Sequence, residues 1–140
     1  MPSQTSPSRP LHVAFQAVPA LGHINPGLGL VFELAARGHR VTYAMNAAFA
    51  PHVAAVGATP VIYESTPPWV FGPGTVAIDL SAAMMTFLDE AKAVLPQVEG
   101  AYQEDRPDVI VHDSGGWPTP ILARRWKIPC VHFSPTFVAY

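Results

Sequence analysis

The chain has 140 residues, 49% of them hydrophobic and 13% charged, with a formal net charge of −2. That length carries one domain with its own core, and that composition excludes a disordered chain. The eight Lys and Arg are scattered, which argues against nucleic acid as a partner.

The lone Cys130 excludes an intrachain disulfide framework. It lies in a short apolar run and is expected to be a buried small hydrophobe. No stretch nears the ~18 apolar residues of a membrane span. Residues 1–10 are polar and proline-rich, without the apolar core of a signal peptide. They are expected to form a flexible tail, with one domain over 11–140 and a cytoplasmic location.

Short β-branched runs alternate with helical stretches, the pattern of βαβ units on a parallel sheet. The first strand is expected at 12–18, ending in Ala17-Val18. Asn25 offers a helix N-cap and Pro26 suits the first helical position, where no N–H is needed. The helix runs through Leu28, Val31, Phe32 and Leu34, and stops at Gly38. Residues 40–45 form a second strand. Asn46 can cap a short helix carrying Val53 and Val56 and closed by Gly57, and 59–63 is the third strand.

Residues 64–75 break the rhythm with Pro67, Pro68, Gly72, Pro73 and Gly74 around Trp69 and Phe71, so a loop is expected there. Helical spacing resumes over 76–90 and continues to about Glu104, with a kink or break at Pro96. A fourth strand is expected at 108–112. A helix follows at 117–126, its early Pro118 and Pro120 suiting the first turn and Arg124-Arg125 on a solvated face. The fifth strand is expected at 129–133.

In the common doubly wound order, 3-2-1-4-5, strands 1 and 4 are adjacent and ligands bind at their carboxyl ends. His23 follows strand 1 and Asp113 ends strand 4, so the two are expected to approach each other. An imidazole can accept a proton near neutral pH, and a carboxylate on its other nitrogen holds the tautomer. The pair suits deprotonation of a hydroxyl on a small molecule. Alternatively, His23 only lines the turn and Asp113 caps a helix.

Other uses of this turn fit less well. A dinucleotide fingerprint needs a third glycine where Phe32 stands, and its first two, Gly27 and Gly29, fall inside the helix. Met45-Asn46 replaces the acid expected after strand 2 for a ribose. Asp113-Ser114-Gly115-Gly116 has the look of a trypsin-like serine motif, but that fold is all-β and disulfide-bonded. The remaining histidines show no metal-ligand spacing. Trp69, Phe71, Met84, Met85, Phe87 and Trp117 are either ordinary core or the wall of an apolar ligand site.

Several ordered motifs resemble GT-B glycosyltransferases of the UDP-glycosyltransferase type. They are Gly22-His23-Ile24-Asn25-Pro26, the run 33–43, Arg106-Pro107-Asp108 through Asp113, the run 123–129 and Phe133-Ser134-Pro135. Within that family the similarity is greatest to bacterial macrolide glycosyltransferases, and it covers about residues 11–140. The resemblance implies a Rossmann-like α/β fold, the N-terminal half of a GT-B enzyme. It implies inverting transfer of a sugar, expected from UDP-glucose, to a hydroxyl of a macrolide-like acceptor, with antibiotic inactivation as the outcome and no metal or other cofactor. His23 falls on the catalytic base and Asp113 on the residue that orients it. Gly22 would keep the turn close to the sugar-phosphate. Trp69, Phe71, Met84, Met85, Phe87, Trp117 and Phe137 would line the acceptor pocket.

The family's second domain, which carries most nucleotide-sugar contacts, is expected to be absent from these residues. The chain by itself is then expected to have little transferase activity, and a chain carrying the C-terminal domain is an expected partner. Two other readings remain at this point: a nicotinamide-dependent oxidoreductase on the same sheet, and a non-catalytic module that binds an apolar small molecule.

Overall fold

The computed structural model describes residues 9–65 and 79–135. Five parallel strands form one sheet: β1 (His12–Gln16), β2 (Arg40–Met45), β3 (Thr59–Ile62), β4 (Val109–His112) and β5 (Cys130–His132). Their spatial order is β3-β2-β1-β4-β5, as expected. β1 sits in the middle, with Phe15 beside Tyr43 of β2 and Val111 of β4.

The four principal helices are α1 (Leu21–Ala36), α2 (Ala50–Ala54), α3 (Leu80–Tyr102) and α4 (Pro118–Trp126). The two central strands are buried along almost their whole length, Arg40 excepted, because both faces of the sheet are covered. On one face Val13, Phe15, Val41 and Tyr43 pack with Ile24 and Val31 of α1 and Val53 of α2. On the other, Ala14, Ala44 and Ile110 pack with Val94, Val98 and Tyr102 of α3 and Leu122 of α4.

Four expectations are corrected. α1 begins at Leu21, not after Asn25, because Ala20 at the strand exit accepts from the N–H groups of His23 and Ile24. Pro26 therefore lies inside the helix, and His23 sits in its first turn. Asn46 precedes the short 3₁₀ turn Ala47–Phe49 without a side-chain cap; its Oδ1 is buried and unpaired. Pro96 does not end α3, because Val94, Val98 and Tyr102 hold the turns on both sides of it in the core. Cys130 is exposed, because β5 is an edge strand with all three residues open to solvent.

Two other helix ends are set by local chemistry, the first expected from the sequence and the second not. Gly38 closes α1 with φ +84°, a left-handed conformation that only glycine adopts freely. Asp79 caps α3 by accepting from the N–H groups of Ser81 and Ala82. The Arg9 guanidinium meets Asp108 at 2.5 Å. No helix among the described residues is long and apolar enough to cross a membrane.

Candidate active site

The carboxyl ends of β1 and β4 lie side by side, and their exits carry the two singled-out polar residues. His23 Nδ1 stands 2.6 Å from Asp113 Oδ2, across 90 residues of sequence. Asp113 is 2% exposed, yet its charge is well solvated by protein donors. The Val18 N–H donates to both of its oxygens, at 3.1 and 3.2 Å, and the Gly115 N–H donates to Oδ1 at 3.0 Å. A buried carboxylate needs such partners, since an unpaired buried charge is very costly.

An ionised carboxylate only accepts, so the proton of the short contact belongs to His23 Nδ1. That leaves the lone pair on Nε2. The His23 side chain is 32% exposed while that of Asp113 is 1% exposed, so the imidazole is the member of the pair that a ligand can reach.

The approach of β1 and β4 depends on Gly115 and Gly116. A Cβ on Gly116 would lie 2.7 Å from the Gln16 carbonyl oxygen, and one on Gly115 would lie 2.1 Å from Val18 Cγ2. The turn after β4 thus packs against the end of β1 closely enough for the Val18 N–H to reach Asp113. Two glycines directly after a strand-end acid are the signal of such an approach, although the trypsin-like comparison draws the eye elsewhere. Gln16, missed by the sequence reading, is buried at the same end and accepts from the Thr119 N–H in the first turn of α4.

A cleft of about 350 Å³ opens beside the histidine, lined by Val18, His23, Met84, Phe87, Ser114, Gly115 and Trp117. Its walls come from the β1 exit, α3 and the turn into α4. The Phe87 and Trp117 rings meet at 6.5 Å, tilted by 60°. The Trp117 indole N–H donates to the Ser114 carbonyl, which holds the ring at the rim. Of the expected wall, Met84, Phe87 and Trp117 line the cleft. Met85, one position round the helix, is 56% exposed and does not. Ser114 is an additional lining residue. Gly22 sits in the first turn of α1 with no atom within 4 Å of where a Cβ would stand, so the fold itself does not demand a glycine there. Trp69, Phe71 and Phe137 lie outside the described residues.

No protein-family model matches the sequence. Among curated proteins, it is 44% identical over 140 residues to an oleandomycin glycosyltransferase of Streptomyces antibioticus, covering 97% of this chain and 32% of that protein. It is 38% identical to a demethyllactenocin mycarosyltransferase of Streptomyces fradiae, covering 94% of this chain and 31% of that one. Among solved structures, the glycotransferase of kitacinnamycin superposes with a TM-score of 0.83 at 45% identity, covering 94% of this chain and 32% of that one.

The chain matches the N-terminal half of the GT-B glycosyltransferases.

It spans about a third of the length of the relatives it matches. In this GT-B half the His23–Asp113 pair stands at the topological switch point, where open α/β sheets bind ligands. The missing fingerprint glycine at Phe32 agrees with the fold comparison: α1 approaches this site with a histidine rather than with a phosphate-binding glycine loop.

Proposed function

We propose that this chain is the acceptor-binding, base-bearing part of an inverting glycosyltransferase acting on a macrolide-like natural product. The observation that carries the reading is the 2.6 Å contact between His23 and Asp113 at the wall of a largely apolar cleft. An acceptor hydroxyl placed beside His23 loses its proton to Nε2 as its oxygen attacks the anomeric carbon of the sugar. The bond from that carbon to the nucleoside diphosphate breaks on the opposite face. Asp113 stabilises the imidazolium that results, through the proton it already shares with Nδ1. The donor is UDP-glucose in this reading. Its nucleotide is held mainly by a C-terminal domain, supplied in the same polypeptide or by a partner chain. The biological result is inactivation of an antibiotic.

Proton transfer to an imidazole requires no metal, so the reaction is proposed to be metal-independent. The cleft supports an apolar, hydroxylated acceptor: Val18, Met84, Phe87 and Trp117 offer area, while His23 and Ser114 are the polar points. The decisive experiment is transfer of glucose from UDP-glucose to oleandomycin by a protein that joins this chain to a GT-B donor domain. His23→Ala is expected to lower turnover by roughly 10²–10⁴-fold, the usual worth of a general base. Near-normal turnover in that variant would remove the base assignment. Unaltered turnover in EDTA is expected; a rate restored by added divalent cation would overturn metal independence.

A further inference from the structure

Ser114 stands between the strand-end carboxylate and the glycine pair, in a turn that is fastened at several points. The Gly115 N–H donates to Asp113 Oδ1 at 3.0 Å. The Asp113 carbonyl accepts from the Gly116 N–H at 3.3 Å and from His112 Nδ1 at 2.7 Å. The Ser114 carbonyl accepts from the Trp117 indole at 2.8 Å. The close approach of Gly115 and Gly116 to the end of β1 leaves the turn little room to shift.

A serine in such a turn commonly bonds the backbone two or three residues on, as a turn former or a helix cap. Here Asp113 takes the turn-forming place through the Gly115 N–H, and Trp117 stands at the N-cap of α4 with no side-chain cap. Thr119, the other hydroxyl of this corner, is engaged by the Gly116 carbonyl. The Ser114 hydroxyl has no hydrogen-bond partner among the described residues, and the residue is exposed on the cleft. The fold makes no use of that hydroxyl.

The cleft gives it one. Val18, Met84, Phe87 and Trp117 are mainly apolar, so His23 and Ser114 are the polar points of the described lining. The two are near neighbours through Asp113: Ser114 is peptide-bonded to it, and it holds His23 at 2.6 Å. A ligand that fills the cleft and presents a hydroxyl to His23 takes water from Ser114. A hydroxyl desolvated without a partner opposes binding. A ligand with a hydrogen-bonding group beside its reacting hydroxyl removes that penalty, and a serine hydroxyl can meet it as donor or as acceptor.

We propose that Ser114 Oγ binds a hydrogen-bonding group of the acceptor that flanks the hydroxyl reacting at His23. Ser114 is then a specificity-determining residue, which favours acceptors whose reacting hydroxyl has a polar neighbour. The inference rests on the acceptor reading above and deepens it by naming a second polar point on the ligand.

Calorimetric titration of this chain with oleandomycin, and with derivatives that each lack one hydrogen-bonding group beside a hydroxyl, tests the contact. One derivative is expected to bind about 3–10-fold more weakly than the parent, the worth of a neutral hydrogen bond. In Ser114→Ala the parent should weaken to the level of that derivative, and the difference between the two should vanish. Ser114→Thr keeps the hydroxyl and should keep the difference. The urea midpoint of Ser114→Ala should match wild type, because the hydroxyl holds no part of the fold. A wild type that binds every derivative equally, or a difference that survives unchanged in Ser114→Ala, overturns the contact and leaves the acceptor reading standing. So does a Ser114→Ala form of the joined protein that binds oleandomycin normally but has a raised KM for UDP-glucose, which would turn the hydroxyl toward the donor. A wild type that binds no macrolide overturns both.

Discussion

His23 and Asp113 meet at 2.6 Å although 90 residues separate them, and every group that holds the pair is main chain from the ends of β1 and β4. Asp113 is bound by the Val18 and Gly115 N–H groups before it ever orients a histidine. The carboxylate therefore has two duties, one in folding and one in chemistry, and substitutions can separate them.

Asp113→Asn keeps the shape but brings an N–H₂ toward groups that themselves donate. Each N–H left without an acceptor costs about 1–3 kcal/mol, so the urea midpoint should fall clearly. His23→Ala removes only one of the donors to Asp113 and should shift the midpoint much less. Equal midpoints for Asp113→Asn and wild type would mean that Asp113 has no structural duty.

The glycine pair after β4 should be intolerant in a graded way. Gly116→Ala places a methyl 2.7 Å from a backbone oxygen, which cannot swing aside, and is expected to cost about 1–3 kcal/mol. Gly115→Ala meets the Val18 side chain, which can move in part, and should cost less. Gly22→Ala meets nothing within 4 Å and should leave stability equal or raise it by ~0.5–1 kcal/mol. Chemical denaturation of the three variants checks the order. A loss of glucosyl transfer by Gly22→Ala at full stability would support the proposed closeness of this turn to the sugar-phosphate.

Stability should fall as pH drops below about 6.5. His12 is buried, and its Nε2 bonds Thr42 Oγ1, which in turn bonds the Tyr102 hydroxyl. Burial, and then the Arg40 charge, hold its imidazole below the ordinary value, against the opposing pull of Asp105. The unfolded chain thus takes up a proton near 6.5 while the folded chain refuses it. Burial lowers His112 in the same direction. Asp105 and Asp108, held below the usual carboxylate value by hydrogen bonds from Arg40 and Arg9, stay ionised across this window. Urea midpoints measured from pH 7.5 to 5.5 should decline in wild type and decline less in His12→Gln. Parallel profiles would show that His12 does not carry the effect.

The cleft wall should respond by face of α3. Met84→Ala removes a lining side chain and should weaken oleandomycin binding. Met85→Ala, one residue on and 56% exposed, should not. Calorimetry on the two variants makes the comparison. Equal losses would mean that ligand reaches around the helix.

Much of this architecture was legible in the linear pattern. The runs at 12–16, 40–45 and 109–112 read as strands of a parallel sheet because short β-branched runs alternate with helical stretches, and such a sheet needs helices above and below. Gly38 ended α1 because its left-handed backbone is local. The pairing of His23 with Asp113 followed from strand order alone, since parallel βαβ topology puts the ends of strands 1 and 4 together. Motif order likewise pointed to the GT-B family.

What depended on packing was out of reach. The start of α1 moved to Leu21 because a carbonyl at the β1 exit accepts the first helical bonds, and a cap-and-proline signal at Asn25-Pro26 carries no information about that carbonyl. Pro96 read as a kink or break, but the cost of an interior proline, about 3 kcal/mol, loses to the buried turns on either side of it. Cys130 read as buried, but its exposure follows from the edge position of β5, which only the assembled sheet defines. Periodicity could place Met84, Met85 and Phe87 on one helix, but the direction of that helix relative to β1 decided which of them meet Trp117 and His23. The residue types and their order were local information, whereas the main-chain donors around Asp113 and the cleft beside Ser114 exist only where distant segments close on each other.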